Sequence, residues 1–118
     1  MTDPEALGAV LAQFARACSE NERLCRMNRD WFRTIAIRPE DLGREYWLRS
    51  EGGPVRMLSE PPEGEPDLVV EAPADVLAAV FGGEAPPTEP YMDGTLRVRG
   101  HQDDLMRLDI ISLLIWGE

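Results

Sequence analysis

The feature that most constrains the fold is an alternating segment bounded by Gly94 and Gly100. Within residues 95–99, Leu96 and Val98 fall on one face and polar side chains fall on the other. That alternation is typical of a strand with one buried face. The flanking glycines permit the tight backbone that such a strand requires at its ends. The sequence therefore predicts a half-buried strand here.

The residues that follow change to a helical period. Apolar side chains recur at spacings of three and four residues, at Leu105, Leu108, Ile111 and Ile115. We therefore predict a helix that begins near Gln102. Because residues 110–116 are apolar apart from one serine, this helix must be buried on most of its sides. We expect it to form the floor of a core, of a pocket or of a subunit contact.

Length and charge narrow the class of protein. A chain of 118 residues is expected to form a single domain, residues 1–118, with one hydrophobic core. Its net charge of −10 would be repelled by nucleic acid and by anionic membranes, so we expect neither as a partner. No stretch approaches the roughly 20 apolar residues of a membrane span, and the N-terminal region has no signal-peptide character. A cytoplasmic location is therefore predicted.

The rest of the chain divides into helical and alternating patterns. A first helix is predicted from Asp3 or Pro4 to about residues 19–21, with a short helical piece after it and a third helix over residues 74–81. The predicted strands cover residues 34–38, 46–49, 55–58 and 67–71. Residues 85–90 are rich in proline and are expected to form a loop. This order favours an α+β domain, with an antiparallel meander and helices packed on the sheet.

A longer pattern joins these elements in the second half of the chain. Its parts are a strand ending in an acidic residue, a helix opened by Ala-Asp, a double glycine, the Gly-bounded strand and a last helix: Leu68–Glu71, Leu77 with Phe81, Gly82–Gly83, Asp93–Gly100, and Leu105 with Leu108. This pattern resembles the sterol carrier protein 2 family of lipid-binding domains. The family often has an acidic or amide residue after the second glycine, where this chain has His101.

The resemblance implies a five-stranded mixed sheet with helices packed on one side. It also implies a tunnel between sheet and helices that takes sterols, fatty acyl chains or other lipophilic molecules, without an enzymatic step. Some members are domains appended to bacterial enzymes, where a binding or scaffolding role replaces lipid transfer.

Apolar side chains are the candidates for lining such a site. They come from several predicted elements: Trp47, Met57, Leu77, Phe81, Met92, Leu105, Leu108, Ile111 and Ile115. The alternative is that they simply fill the core. In that case the domain would be an interaction subunit, and residues 110–116 would form a homodimer contact or dock on a partner enzyme.

The sequence also bears on catalysis and metal binding. His101 is the only histidine, and the sequence places no serine or cysteine beside it as a nucleophile. His101, Asp103 and Asp104 share one helical turn, which offers poor convergence for a metal ion. The two aspartates are expected to interact with the helix dipole instead. We therefore expect no catalytic residue, metal site or cofactor, and keep His101 as a base acting on a lipophilic substrate as a third hypothesis.

Overall fold

The computed structural model describes the backbone of residues 2–116 and the side chains of residues 2–111. The helices are α1 (Pro4–Glu20), α2 (Glu22–Met27), α3 (Ala74–Phe81), α4 (Thr88–Asp93) and α5 (Gln102–Trp116). The strands are β1 (Phe32–Pro39), β2 (Tyr46–Glu51), β3 (Val55–Leu58), β4 (Leu68–Ala72) and β5 (Arg97–Gly100). None of the helices in the described part of the chain is long and apolar enough to cross a membrane.

The strands form one sheet in the order β3-β2-β1-β4-β5. The pairs β1–β2, β2–β3 and β4–β5 are antiparallel, whereas β1 and β4 are parallel. The predicted fold class, a five-stranded mixed sheet with helices packed on one side, is confirmed. The element order alone suggested an antiparallel meander, and this is correct only for β1 to β3. The connection at residues 59–67 carries the chain from edge strand β3 to the far side of β1, where β4 pairs in parallel.

The sheet has one buried face and one polar face because alternate residues of each strand point to opposite sides. Ile35, Leu48 and Val70 point to the helices and are at most 2% exposed. The other face carries ion pairs across neighbouring elements, such as Arg99–Glu71 at 3.0 Å. Exposed ion pairs of this kind contribute little to stability. The stabilising core therefore lies on the helical side of the sheet, where the apolar side chains are buried.

Helix α1 covers much of that buried face. Asp3 caps it by accepting a hydrogen bond from the Ala6 N–H at 2.8 Å, and Pro4 occupies the first turn, where no N–H is needed. Its buried stripe includes Leu7 and Leu11, both fully inaccessible to solvent. Asn21 then ends α1 and caps α2 through its side-chain oxygen.

Two predictions near the C-terminal end are wrong in detail. The predicted loop over residues 85–90 runs into helix α4, which had no apolar period to reveal it. Pro90 is tolerated there because the first turn of a helix leaves its N–H groups without intrahelical partners. Strand β5 begins two residues later than predicted, since the Leu96 N–H bonds to the Pro90 carbonyl at 2.9 Å rather than to the sheet. Leu96 is nevertheless 4% exposed and lies on the buried side.

Candidate ligand-binding site

A cavity of about 400 Å³ lies between the β4–β5 edge of the sheet and the helices. Val70 of β4 and Val98 of β5 form its sheet side. Helices α1, α3, α4 and α5 contribute the other walls. Its volume is in the range of small-molecule sites, which are about 300–1,000 Å³. The cavity is thus where the fold has room for a ligand.

Two phenylalanines form the inner wall of the cavity. Phe14 of α1 and Phe81 of α3 both line it, and their rings meet edge to face with centroids 4.9 Å apart at 88°. Edge-to-face packing is a favoured aromatic geometry, and each residue is at most 5% exposed. This wall is therefore held in place by the core and presents apolar edges to the cavity.

The opposite side of the cavity opens to solvent between α4 and α5. Tyr91 of α4 and Met106 of α5 both line the cavity, and they are 54% and 57% exposed. The described lining side chains with polar groups are Thr88, Gln102 and Asp109, together with the hydroxyl of Tyr91. An apolar interior with a few polar groups is the usual make-up of a site for a lipophilic molecule.

Helix α5 is fixed to the rest of the fold by a polar cluster near its start. The carboxylate of Asp104 accepts hydrogen bonds from the Trp31 indole N–H at 2.8 Å and from Arg33 Nε at 3.0 Å. One turn later, Arg107 donates to the buried Asn28 at 2.9 Å and lies over the Trp31 ring. These contacts set the rotation of α5.

Asp104 is buried, with a side chain that is 9% exposed. Burial by itself raises the pKa of Asp104, but the hydrogen bonds from Trp31 and Arg33, with the charges of Arg33 and His101, hold it below its ordinary value. The group is therefore ionised in the folded protein at neutral pH. This charge is compensated and contributes to holding α5 beside the cavity.

Three of the candidate residues meet at the cavity: Phe81 from α3, and Leu105 and Leu108 from α5. Both leucines are half-buried and also pack against the core. The rotation of α5 that directs them inward is the one set by the polar cluster around Asp104.

The other candidates lie elsewhere. Leu77 and Ile111 are buried in the hydrophobic core, and Met57 packs against it from β3. Trp47 is on the polar face of the sheet, where its indole donates to Glu45 at 2.8 Å. Met92 is 80% exposed on α4. Ile115 lies outside the residues whose side chains are described.

Sequence reasoning did not single out Phe14 and Asp109 for the site. Phe14 belongs to the apolar stripe of α1, so nothing in its spacing separates it from core residues. Asp109 had a usable signal, since it follows Leu105 by four residues and so shares its helical face. Alternation along its strand predicts that Val98 is buried, but not that it lines the cavity, as the structure shows.

His101 is positioned as a surface residue at the start of α5. Its side chain is 73% exposed, and Nδ1 accepts a hydrogen bond from the Asp103 N–H at 3.2 Å. Among the described residues, no group of three or more His, Cys, Asp and Glu side chains is arranged to hold a metal ion. The visible role of His101 is local: it satisfies a backbone N–H in the first turn.

Several solved structures share this fold. The UbiJ-SCP2 ubiquinone synthesis protein superposes with a TM-score of 0.72 at 17% identity, covering 95% of this chain and 96% of its own. Palmitated SCP2L2 from Aedes aegypti gives 0.63 at 13% identity, covering 93% and 94%. The sterol carrier protein domain 2 of Helicoverpa armigera gives 0.62 at 13% identity, covering 92% and 90%. At these identities the likeness establishes the fold alone.

Sequence comparison is more selective. A search of curated proteins finds no matching relative. In contrast, the sequence profile of the SCP-2 sterol transfer family matches residues 10–111, which include every strand of the sheet and all of the described cavity lining. The resemblance found in the second half of the sequence is therefore confirmed over most of the chain, which belongs to the SCP-2 sterol transfer family.

Proposed function

We propose that this protein binds and carries an apolar small molecule in the cavity between β4, β5 and the helices, without transforming it. The observation that carries the proposal is the largely apolar cavity of about 400 Å³ in a fold whose family points to binding or transfer of lipids. The sites of apolar contact would be Phe14 and Phe81 inside, with Leu105 and Leu108 along α5.

The affinity would come from burial of hydrocarbon against these side chains. Each buried methylene contributes about 0.8 kcal/mol, which is close to a fourfold change in the dissociation constant. The contribution stops growing when the chain of the ligand is longer than the cavity. The function therefore predicts an affinity that rises with chain length and then levels off.

The first experiment is native mass spectrometry of gently purified protein, followed by denaturing extraction. Extra mass that is released on denaturation, and that proves to be a lipophilic molecule, would support carriage of that molecule. If only unliganded protein is seen, binding is then measured with a series of straight-chain alcohols that displace the uncharged dye Nile red. Affinity that does not change with chain length would contradict the proposal.

Two exposed residues of α5 provide a matched pair of variants. Met106 lines the cavity, whereas Ile110, one turn later and 40% exposed, does not. A carboxylate introduced by Met106→Glu lies at the opening and removes apolar lining, so we expect it to weaken binding of the longest alcohol about tenfold. Ile110→Glu adds the same charge to the same helix and should change binding less than about twofold. Equal effects of the two variants would argue against the cavity as the binding site.

A second function is favoured by the exposed apolar residues on α4 and α5, of which Met92 at 80% is the most exposed. In this alternative, a second copy of the chain covers these residues together with the end of α5. Sedimentation velocity of the wild-type protein and of Met92→Asp tests it directly. A wild-type dimer that the substitution dissociates would support the alternative, and a wild-type monomer at micromolar concentrations would exclude it.

A further inference from the structure

We infer that the cavity selects an uncharged amphiphile with a hydroxyl or carbonyl head over the anion of a fatty acid of the same length. The inference rests on the proposed function, since it concerns the ligand of the same cavity. Its basis is the charge and hydrogen-bonding capacity of the polar residues around the opening.

The only charged residue among the described lining side chains is acidic. Asp109 lines the cavity, and the remaining polar lining residues, Thr88, Tyr91 and Gln102, are neutral. The end of α5 cannot supply a compensating cation, because residues 112–118 include neither arginine nor lysine. A carboxylate head group would therefore meet a like charge and no described counter-charge.

The two arginines of β5 are directed away from the cavity. Arg97 and Arg99 of β5 alternate with Val98, so they point to the opposite face of the sheet. There they form ion pairs with Glu40 and Glu71, which lie outside the cavity. The strand that supplies an apolar wall to the cavity thus keeps both of its cations on the outer face.

The same separation is found on α5. Arg107 follows the exposed Met106 but turns toward Asn28, with its guanidinium 5.7 Å from the centre of the Trp31 ring. Asp109, two residues further, faces the cavity instead. Helix α5 therefore presents an acid to the site and uses its base to hold itself against the fold.

The polar groups at the opening suit a neutral head group. The Asp109 carboxylate accepts hydrogen bonds only, whereas the Thr88 hydroxyl and the Gln102 amide can both donate and accept. A ligand hydroxyl can donate to the carboxylate, and a ligand carbonyl can accept from the amide or hydroxyl. A fatty-acid anion has no proton to donate to Asp109 and is repelled by it.

The size of the repulsion follows from the exposure of the opening. Two unit charges about 4 Å apart in a water-like medium repel enough to change a binding constant roughly fivefold, and more where water is excluded. An alcohol is favoured over a carboxylate by any apolar site, so the ratio of their affinities in the wild-type protein is not sufficient evidence. The diagnostic quantity is how this ratio changes when the Asp109 charge is removed.

The test compares 1-dodecanol with dodecanoate by Nile red displacement at mildly alkaline pH, where the acid is ionised. Asp109→Asn should reduce the preference for the alcohol roughly fivefold, mainly by improving binding of the acid. Asp103→Asn removes the same charge from the same helix, but its side chain is 87% exposed and does not line the cavity. This control should leave the preference within about twofold of wild type.

The outcomes separate the inference from the proposed function. If dodecanol binds, and either dodecanoate binds wild type as tightly or Asp109→Asn leaves the preference unchanged, the head-group inference is overturned while carriage of apolar ligands stands. If neither ligand binds the folded protein, the proposed function fails and the inference fails with it. A fivefold shift in Asp109→Asn alone supports both.

Discussion

Replacing Asp104 with asparagine should destabilise the protein and loosen α5 specifically at neutral pH. The introduced amide would keep the size of the side chain and one oxygen that can accept from the Trp31 indole. The second oxygen of the carboxylate, which receives Arg33 Nε at 3.0 Å, would be replaced by an amino group that can only donate. The variant therefore removes one charge-assisted hydrogen bond and leaves Arg33 Nε with only the remaining, uncharged oxygen, 3.1 Å away.

The magnitude can be worked from the exposure of the two partners. A hydrogen bond to a charged group contributes about 1.5–3 kcal/mol when it is protected from water. Asp104 is 9% exposed in its side chain but Arg33 is 38% exposed, so water replaces part of the lost interaction. We therefore expect a loss of about 1–2 kcal/mol in the free energy of unfolding. For a chain of 118 residues, this corresponds to a decrease in Tm of about 4–8 °C.

Urea unfolding monitored by circular dichroism measures the loss, and Arg33→Gln completes a double-mutant cycle. We expect a coupling free energy of about 1 kcal/mol between the two positions. Asp103→Asn, at the exposed neighbouring position, is the matched control and should change stability by less than about 0.5 kcal/mol. A coupling free energy near zero would show that the Arg33–Asp104 pair does not anchor α5.

The pH dependence provides a second check. Because the pKa of Asp104 lies below its ordinary value of 3.8 in the folded state, its contribution is complete above that value and is lost as the pH falls through the lowered pKa. The stability difference between wild type and Asp104→Asn should thus be largest at neutral pH and shrink in strong acid. A difference that is independent of pH would refute the assignment of an ionised Asp104.

Two further predictions concern a glycine of the β2–β3 turn and the two cysteines. Gly53 has a φ of +120°, and a Cβ there would lie 2.8 Å from the Cα of Cys25. Gly53→Ala should therefore cost more stability than Gly64→Ala, because Gly64 has a φ of +78° but no neighbour within 4 Å of its Cβ position. Comparable urea midpoints for the two variants would contradict this prediction. Burial raises the pKa of the Cys18 thiol to about 12, so a disulfide reagent at mildly alkaline pH should modify Cys25 in the folded protein and Cys18 only after unfolding. Rapid modification of both thiols before unfolding would refute it.

Alternation and helical spacing predicted the elements well where one face is buried. The alternating pattern around Leu48 is sufficient to predict β2, and it also predicts the face of the sheet on which Trp47 lies. Because Tyr46 and Leu48 both point inward, Trp47 between them must point outward, despite its size. The prediction that Trp47 lines the site followed from its large apolar side chain, whereas alternation along the strand places it on the opposite face.

The parallel pairing of β1 with β4 could not be obtained from local patterns. Strand periodicity gives the face on which a side chain lies, but it does not give the neighbour or its direction. The same limit applies to Asp104, which was interpreted from sequence as a dipole-stabilising residue of the first turn. Its partner Trp31 is 73 positions away, so only the tertiary structure brings the indole to the carboxylate.

The parallel pairing also has a consequence for synthesis of the protein on the ribosome. β1 obtains its second neighbour only after residues 68–72 have been made, when Ile35 pairs with Leu68 and Ile37 with Val70. Until then, the nascent β1–β3 meander has an unpaired, apolar edge at the position that becomes the middle of the sheet. Such an edge can pair with other chains and promote aggregation. The N-terminal half of this protein therefore depends on prompt completion of the half that contains most of the cavity.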